Sequence, residues 1–224
     1  MNEKEIRDVV SRVLSNIENT RCVCGENAQP AADNEILLEA SGRHVHLTKQ
    51  AVEALFGEGA VLTPKKYLSQ TGEFLSEQRV KVVTSRGEFC GVAVLGPERS
   101  AVQTELSATD CRALGIKAPV NLSGDLSGAA DVFLVSDSAC YNAAGSAIIA
   151  KRHVHLSDKD AERYGVKDGE KVKIRVSGER PVVFEDVVVR VKDSFTPAVH
   201  IDFDEANACL YSPKVKAYLI KEGE

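Results

Sequence analysis

The chain has 224 residues, 43% of them hydrophobic and 27% charged, with a formal net charge of −5 at pH 7. That length allows one large or two small domains with a sizeable core, and mild acidity without a concentrated Lys/Arg run argues against nucleic acid as the main partner. No apolar run approaches the ~18 residues of a membrane-spanning helix, whereas a phosphorylated small ligand, which needs only a few placed cations, stays compatible.

In residues 3–18 the apolar positions Ile6, Val9, Val10, Val13, Leu14 and Ile17 make one helical stripe, with acidic residues near the start where they suit the helix dipole. The segment lacks the uninterrupted apolar centre of a signal peptide, and Glu3, Glu5, Asp8 and Glu18 are foreign to a mitochondrial presequence. Residues 19–34 have no periodicity and read as a linker. A helix on a linker must bury its stripe, either on its own domain or, the reading favoured here, on another protein. Cys22-x-Cys24 lacks the usual zinc-knuckle spacing, and all six cysteines read as reduced thiols.

From residue 35 the pattern is short strands: 35–41, a hairpin over 78–96 turning at Arg86-Gly87, 130–136, 146–156, a hairpin over 170–192 turning at Ser177-Gly178, and 198–204. Short helices are expected at 48–56, 108–114, 157–164 and 204–209, each behind a Ser, Thr or Asp suited to N-capping. Many short strands with few helices point to β-barrels rather than a βαβ sheet.

The segment Arg43-His44-Val45-His46-Leu47 recurs as Arg152-His153-Val154-His155-Leu156, and the copies hold four of the chain's five histidines. In a strand, residues two apart face the same side, so each His-x-His presents two imidazoles together, a bidentate start to a metal site. The plain alternative is a duplicated structural strand whose histidines make core hydrogen bonds; metal ligation is the favoured reading. His200 lies at another strand end, and Glu105 on a strand-like run between the copies. Five imidazoles and one carboxylate exceed one tetrahedral zinc and suit two adjacent metals.

The blocks "SGRHVHLT", "LGPERSAVQTELS", "APVNLSGDLSG", "KRHVHLS" and "HIDFDEANA" resemble, in order and over residues 36–220, the signature of the PduL-type phosphate acyltransferases (phosphotransacylases, phosphate propanoyltransferases). The resemblance implies a mainly β fold: two β-barrel domains with short flanking α-helices and a two-zinc site at their interface. One barrel would be discontinuous, from residues 35–43 and 151–224; the other would take 44–150, with 1–34 as targeting helix and linker. It implies interconversion of acyl phosphate plus coenzyme A (CoA) with acyl-CoA plus phosphate. By motif, His44 and His46 would hold one zinc, and Glu105, His153, His155 and His200 the other. Arg99 would bind phosphate, and Ala40, Ser41, Gly42, Arg86 and Asn207 would contact CoA. The chain departs from the family at Ala93 and Asn121, where arginines are frequent, and in 136–146, where a rebuilt loop is expected. The leading helix resembles an encapsulation peptide, implying shell or cargo proteins as partners and a place inside a bacterial microcompartment.

A zinc-bound thiol is deprotonated, which is what making a thioester from an acyl phosphate needs, so no cysteine need act as nucleophile. Three rivals stand beside this reading. A cupin places its glutamate a few residues after His-x-His, whereas Glu105 lies 59 residues after His46. An amidohydrolase-like hydrolase needs a βα barrel that these strands do not suggest. A non-catalytic zinc-stabilised binding module would have a closed metal site.

Overall fold

A computed structural model describes residues 34–221; the expected helix over 3–18 and nearly all of its linker lie outside the described residues. Strands dominate: β1 (Glu35–Ile36), β2 (Leu38–Ser41), β3 (His44–His46), β4 (Pro64–Tyr67), β5 (Phe74–Val83), β6 (Glu88–Gly96), β7 (Gln103–Leu106), β8 (Val120–Asn121), β9 (Ala130–Val135), β10 (Cys140–Ala150), β11 (His153–Leu156), β12 (Lys171–Ser177), β13 (Val182–Val191), β14 (Ala198–Asp202) and β15 (Lys216–Lys221). Helices α1 (Lys49–Phe56), α2 (Ala108–Leu114), α3 (Asp158–Tyr164) and α4 (Phe203–Ala208) fall within a residue of the expected bounds.

The strands form two barrel-like sheets. One runs β1-β15-β12-β13-β11-β14-β2. Its two ends, β1 and β2, are consecutive in the chain and separated only by Leu37, so the sheet curls until its edges meet. The other runs β4-β5-β6-β3-β7-β10-β8, and β9 pairs with both β10 and β5, which closes a ring and removes the free edges there. Each interior is packed with apolar side chains, Val154, Leu156, Ile174, Val187, Val199 and Leu219 in the first and Val45, Leu47, Val82, Val94, Leu106 and Leu134 in the second.

Both sheets follow the same local plan. Strand β3 lies between a parallel neighbour, β6, and an antiparallel one, β7; β11 lies likewise between β13 and β14. Each of β3, β7, β11 and β14 runs straight into a helix whose N-cap side chain (Thr48, Ser107, Ser157, Asp202) accepts a backbone N–H of the first turn. Three of the four add a capping box, with Asp110, Asp160 or Glu205 reaching back. These caps, worth ~1 kcal/mol each, pin the ends of the strands that carry the candidate ligands.

The expected strand over 35–41 is broken at the exposed Leu37. The rebuilt loop expected at 136–146 is mostly strand: β9 turns into β10 over a few residues, where the Ser136 hydroxyl caps the turn through Ala139 N, and β10 carries a bulge between Ala143 and Ala147. The alternation of small residues there masked the strand. The sequence pattern does not show β4, β8 or β15 either: β4 is exposed along its whole length, β8 has two residues, and β15 lacks period-two alternation.

Candidate active site

Along RHVHL, Val45 and Leu47 point into one barrel, and Val154 and Leu156 into the other. By strand alternation the histidines point outward, yet His44, His46, His153 and His155 are all buried. Outward side chains are buried only where something covers them. A cleft of about 660 Å³ is lined by these four histidines with Glu105 and His200, so both sheets contribute walls.

Strand register builds the two groups alike. Glu105 stands directly opposite His44 across β3–β7, and His200 directly opposite His153 across β11–β14. The Glu105 carboxylate lies 3.5 Å from His44 Nε2 and 3.8 Å from His46 Nε2; these three residues offer ligand atoms within 4.8 Å of one another. The rings of His153, His155 and His200 have centroids 4.7 to 5.2 Å apart. Glu105, which the resemblance groups with this second set, lies nearest the first, and its charge is felt at His153 and His200 as well. Pairing between distant strands decides this, and spacing along the chain does not reveal it.

His44 Nδ1 lies 2.8 Å from the Gly42 carbonyl and His153 Nδ1 2.9 Å from the Lys151 carbonyl. A carbonyl only accepts, so each Nδ1 carries the proton and each Nε2 is turned to the cleft, the arrangement that orients metal-ligating histidines. Burial, reinforced by neighbouring imidazoles, lowers His155 to about 2 and His200 to about 3; burial also depresses His46 and His153. These imidazoles are neutral, the form that binds metal. Burial pushes His44 down too, but the Glu105 carboxylate outweighs it and the net shift is upward. Burial likewise opposes the charge on Glu105, and His44, through its charge and its hydrogen bond, overcomes it, holding the carboxyl far below the usual range. His155 Nδ1 and Nε2 and His200 Nε2 are buried without a hydrogen-bond partner, which costs ~1–3 kcal/mol each. Clustered orphan nitrogens, with the Glu39 carboxylate 3.8 Å from His200 Nε2, fit a bound transition metal and fit the duplicated-strand alternative poorly.

Arg99 lines the same cleft. Its backbone N–H donates to Leu47 O (2.8 Å), Nη1 to Ser123 Oγ (2.9 Å) and Nη2 to Glu73 Oε1 (3.0 Å). Buried Gln103 donates through Nε2 to both Ser123 Oγ (2.8 Å) and Glu105 Oε1 (2.6 Å), and accepts from Gly124 N (2.8 Å). A continuous polar chain therefore runs from Glu73 through Arg99, Ser123 and Gln103 to Glu105. Gln103 was not singled out in the sequence, although it sits two residues before Glu105 on the same strand face.

The arginines of the repeat have a matching task. Arg43 bonds Asp110 (2.7 Å) and Arg152 bonds Glu205 (2.6 Å); each partner is the capping-box acid of the helix after β7 or β14. Each arginine thus ties its His-x-His strand to the strand bearing the third group.

Of the expected CoA positions, Ala40, Ser41 and Gly42 line the cleft. A Cβ on Gly42 would stand 2.9 Å from the Phe203 ring, so glycine lets the chain pass beneath α4. Arg86 and Asn207 are not among the lining residues. Arg86 packs on Gly115, the C-cap of α2, where an added Cβ would meet its side chain at 2.3 Å. Asn207 is exposed on α4. Ala93 pairs with His44 and lines the cleft. Asn121 donates to Asp125 O and Ser127 O, closing its own loop.

Fold and cleft together define an enzyme on a double barrel-like plan, with its candidate active site formed by side chains of both sheets. Residues 37–212 match the phosphate propanoyltransferase family. The chain is similar to phosphate propanoyltransferases of Leptotrichia buccalis (51% identical, covering 80% of this chain and 85% of the relative) and Clostridioides difficile (46%, covering 84% and 90%). With that of Alkaliphilus metalliredigens it shares 41% identity over 99% of this chain and 100% of the relative. The chain belongs to the phosphate propanoyltransferase family and is an acyltransferase. None of its described helices is long and apolar enough to cross a membrane.

Proposed function

We propose that this enzyme interconverts a short acyl phosphate, propanoyl phosphate or similar, plus CoA with acyl-CoA plus phosphate, using two zinc ions held in the cleft. The observation that carries the reading is the polar chain joining Arg99 to Glu105 beside two histidine groups, in a member of this family. His44 and His46 would hold one ion and His153, His155 and His200 the other; Glu105, 3.5 Å from His44 Nε2, would supply the carboxylate that the family resemblance assigns to the second ion from a place beside the first pair. When bound, zinc supplies a deprotonated thiol at neutral pH and an electrophile for developing negative charge.

The chain's own residues do the rest. Ala40, Ser41 and Gly42 border the CoA side of the cleft, with Arg86 and Asn207 reserved for its more distant parts. Arg99 offers a guanidinium fork to the phosphate, the geometry that matches a phosphate bidentately. Ser123 and Glu73 hold that fork in place, so little reorganisation is needed as charge develops. Gln103 fixes Oε1 of Glu105 and leaves Oε2 facing His44 Nε2 at 3.5 Å. In the forward direction a carbon–sulfur bond forms, the carbon–oxygen bond to phosphate breaks, and the thiol proton ends on the released phosphate. Thioester formation from propanoyl phosphate and CoA, matched by equimolar phosphate release, tests the reading; no thioester with any short acyl phosphate overturns it.

The segment 3–18 is proposed to dock on shell or cargo proteins of a bacterial microcompartment, through its apolar stripe. Deleting residues 1–25 is expected to leave acyl transfer in solution intact and to abolish co-purification with shell protein. Unchanged co-purification of the truncated enzyme would contradict it.

A further inference from the structure

We propose that Phe195 is the wall of the cleft that sets acyl-chain length, and that Gln70 is the residue that positions it. The inference rests on the acyl-transfer reading and deepens it.

Phe195 belongs to neither apolar core and is half-buried, so packing within a barrel does not account for it. It lies in the connection between β13 and β14, and its ring lines the cleft. One face stacks on His155 at a centroid distance of 4.1 Å and 25°. Arg190 and Lys192 approach the ring to 5.9 and 6.0 Å. An apolar ring is thus set beside two cations that line the same cleft. An acyl phosphate needs both kinds of contact, cations for its phosphate and apolar surface for its alkyl chain.

The ring's position is held from the other sheet. The β4–β5 connection folds on itself through Leu68 N to Glu73 O (3.0 Å) and Glu73 N to Gln70 O (3.1 Å). From it, buried Gln70 donates Nε2 to Thr196 O (2.9 Å) and accepts Thr196 N at Oε1 (3.2 Å). This two-point grip fixes the peptide units on either side of Thr196, the residue after Phe195. The same connection gives Ser69 to Glu39 (2.6 Å) and Glu73 to Arg99 (3.0 Å). A buried amide with both functions satisfied is costly to disturb, so the distance between the Phe195 ring and the phosphate-binding side of the cleft is set by a cross-sheet hydrogen-bond pair.

The test compares kcat/KM for acetyl, propanoyl, butanoyl and hexanoyl phosphate in wild type, Phe195→Ala, Phe195→Leu and Gln70→Ala, with zinc content measured on each. Phe195→Ala is expected to raise the hexanoyl-to-propanoyl ratio at least about tenfold, the scale at which hydrophobic pockets discriminate chain length. The effect should lie mainly in the KM of the long chain. Phe195→Leu, which keeps an apolar side chain if the alanine variant fails to fold, should shift it in the same direction by about threefold. Gln70→Ala should follow Phe195→Ala at reduced size with zinc content unchanged. A ring that only supported His155 would instead lose zinc and slow all chains alike, and that result overturns the inference, as does an unchanged profile in an active enzyme. Wild-type protein inert toward all four substrates overturns the acyl-transfer reading and this inference with it.

Discussion

Arg99→Ala is expected to lower kcat at least about a hundredfold, the loss seen when one group aimed at developing charge is removed. Three bonds hold this residue. Its backbone N–H is tied to Leu47 at the end of the first His-x-His strand, and its two terminal nitrogens to Ser123 and Glu73. The guanidinium is therefore set before substrate arrives. Charge alone does not replace it: Arg99→Lys keeps the cation but loses the planar fork and should recover only part of the rate. Because Ser123 also accepts from Gln103, which holds Glu105, removing Arg99 loosens the carboxylate as well. Steady-state turnover of propanoyl phosphate with saturating CoA measures this. A variant within a few-fold of wild type would show that Arg99 does not bind the transferred phosphate.

His46→Ala is expected to cost on the order of a thousandfold in kcat, since a metal supplies several kcal/mol of charge stabilisation. The fold should survive. His46 points out of its barrel, and the core residues on either side, Val45 and Leu47, are untouched. His155→Ala should act differently, lowering zinc retention first and activity as a consequence. Its ring carries two buried nitrogens without partners and sits against both His153 and His200. The discriminating measurement is zinc per protein after dialysis, read beside kcat in excess zinc. Activity of His155→Ala should be partly restored by excess metal, and that of His46→Ala should not. Equal rescue of both would contradict the unequal tasks.

The histidine pairs were legible because strand periodicity is local: alternation in RHVHL sends Val and Leu one way and both histidines the other. The helices were legible for a similar reason, as each begins at an N-cap written in the sequence. What joins distant strands was not. The place of Glu105 beside His44 follows from the antiparallel register of β3 and β7, and the equivalent place of His200 beside His153 from β11 and β14. Nothing in the interval between these residues encodes it. Gln70 and Phe195 lie in connections without periodicity, and their meeting depends on how both sheets line the cleft. The place of Arg86, outside the cleft lining and packed over the C-cap of α2, was not legible in its motif either, because a hairpin tip goes where its strands send it.

Acyl transfer by this enzyme is proposed to depend on metal held by these histidines. The most direct test is CoA-dependent phosphate release from propanoyl phosphate by the full chain, before and after removal of metal with a chelator and again after zinc is returned. Release and thioester should be lost together in the stripped enzyme and recovered together with zinc. Full activity in protein shown to be metal-free would contradict this dependence.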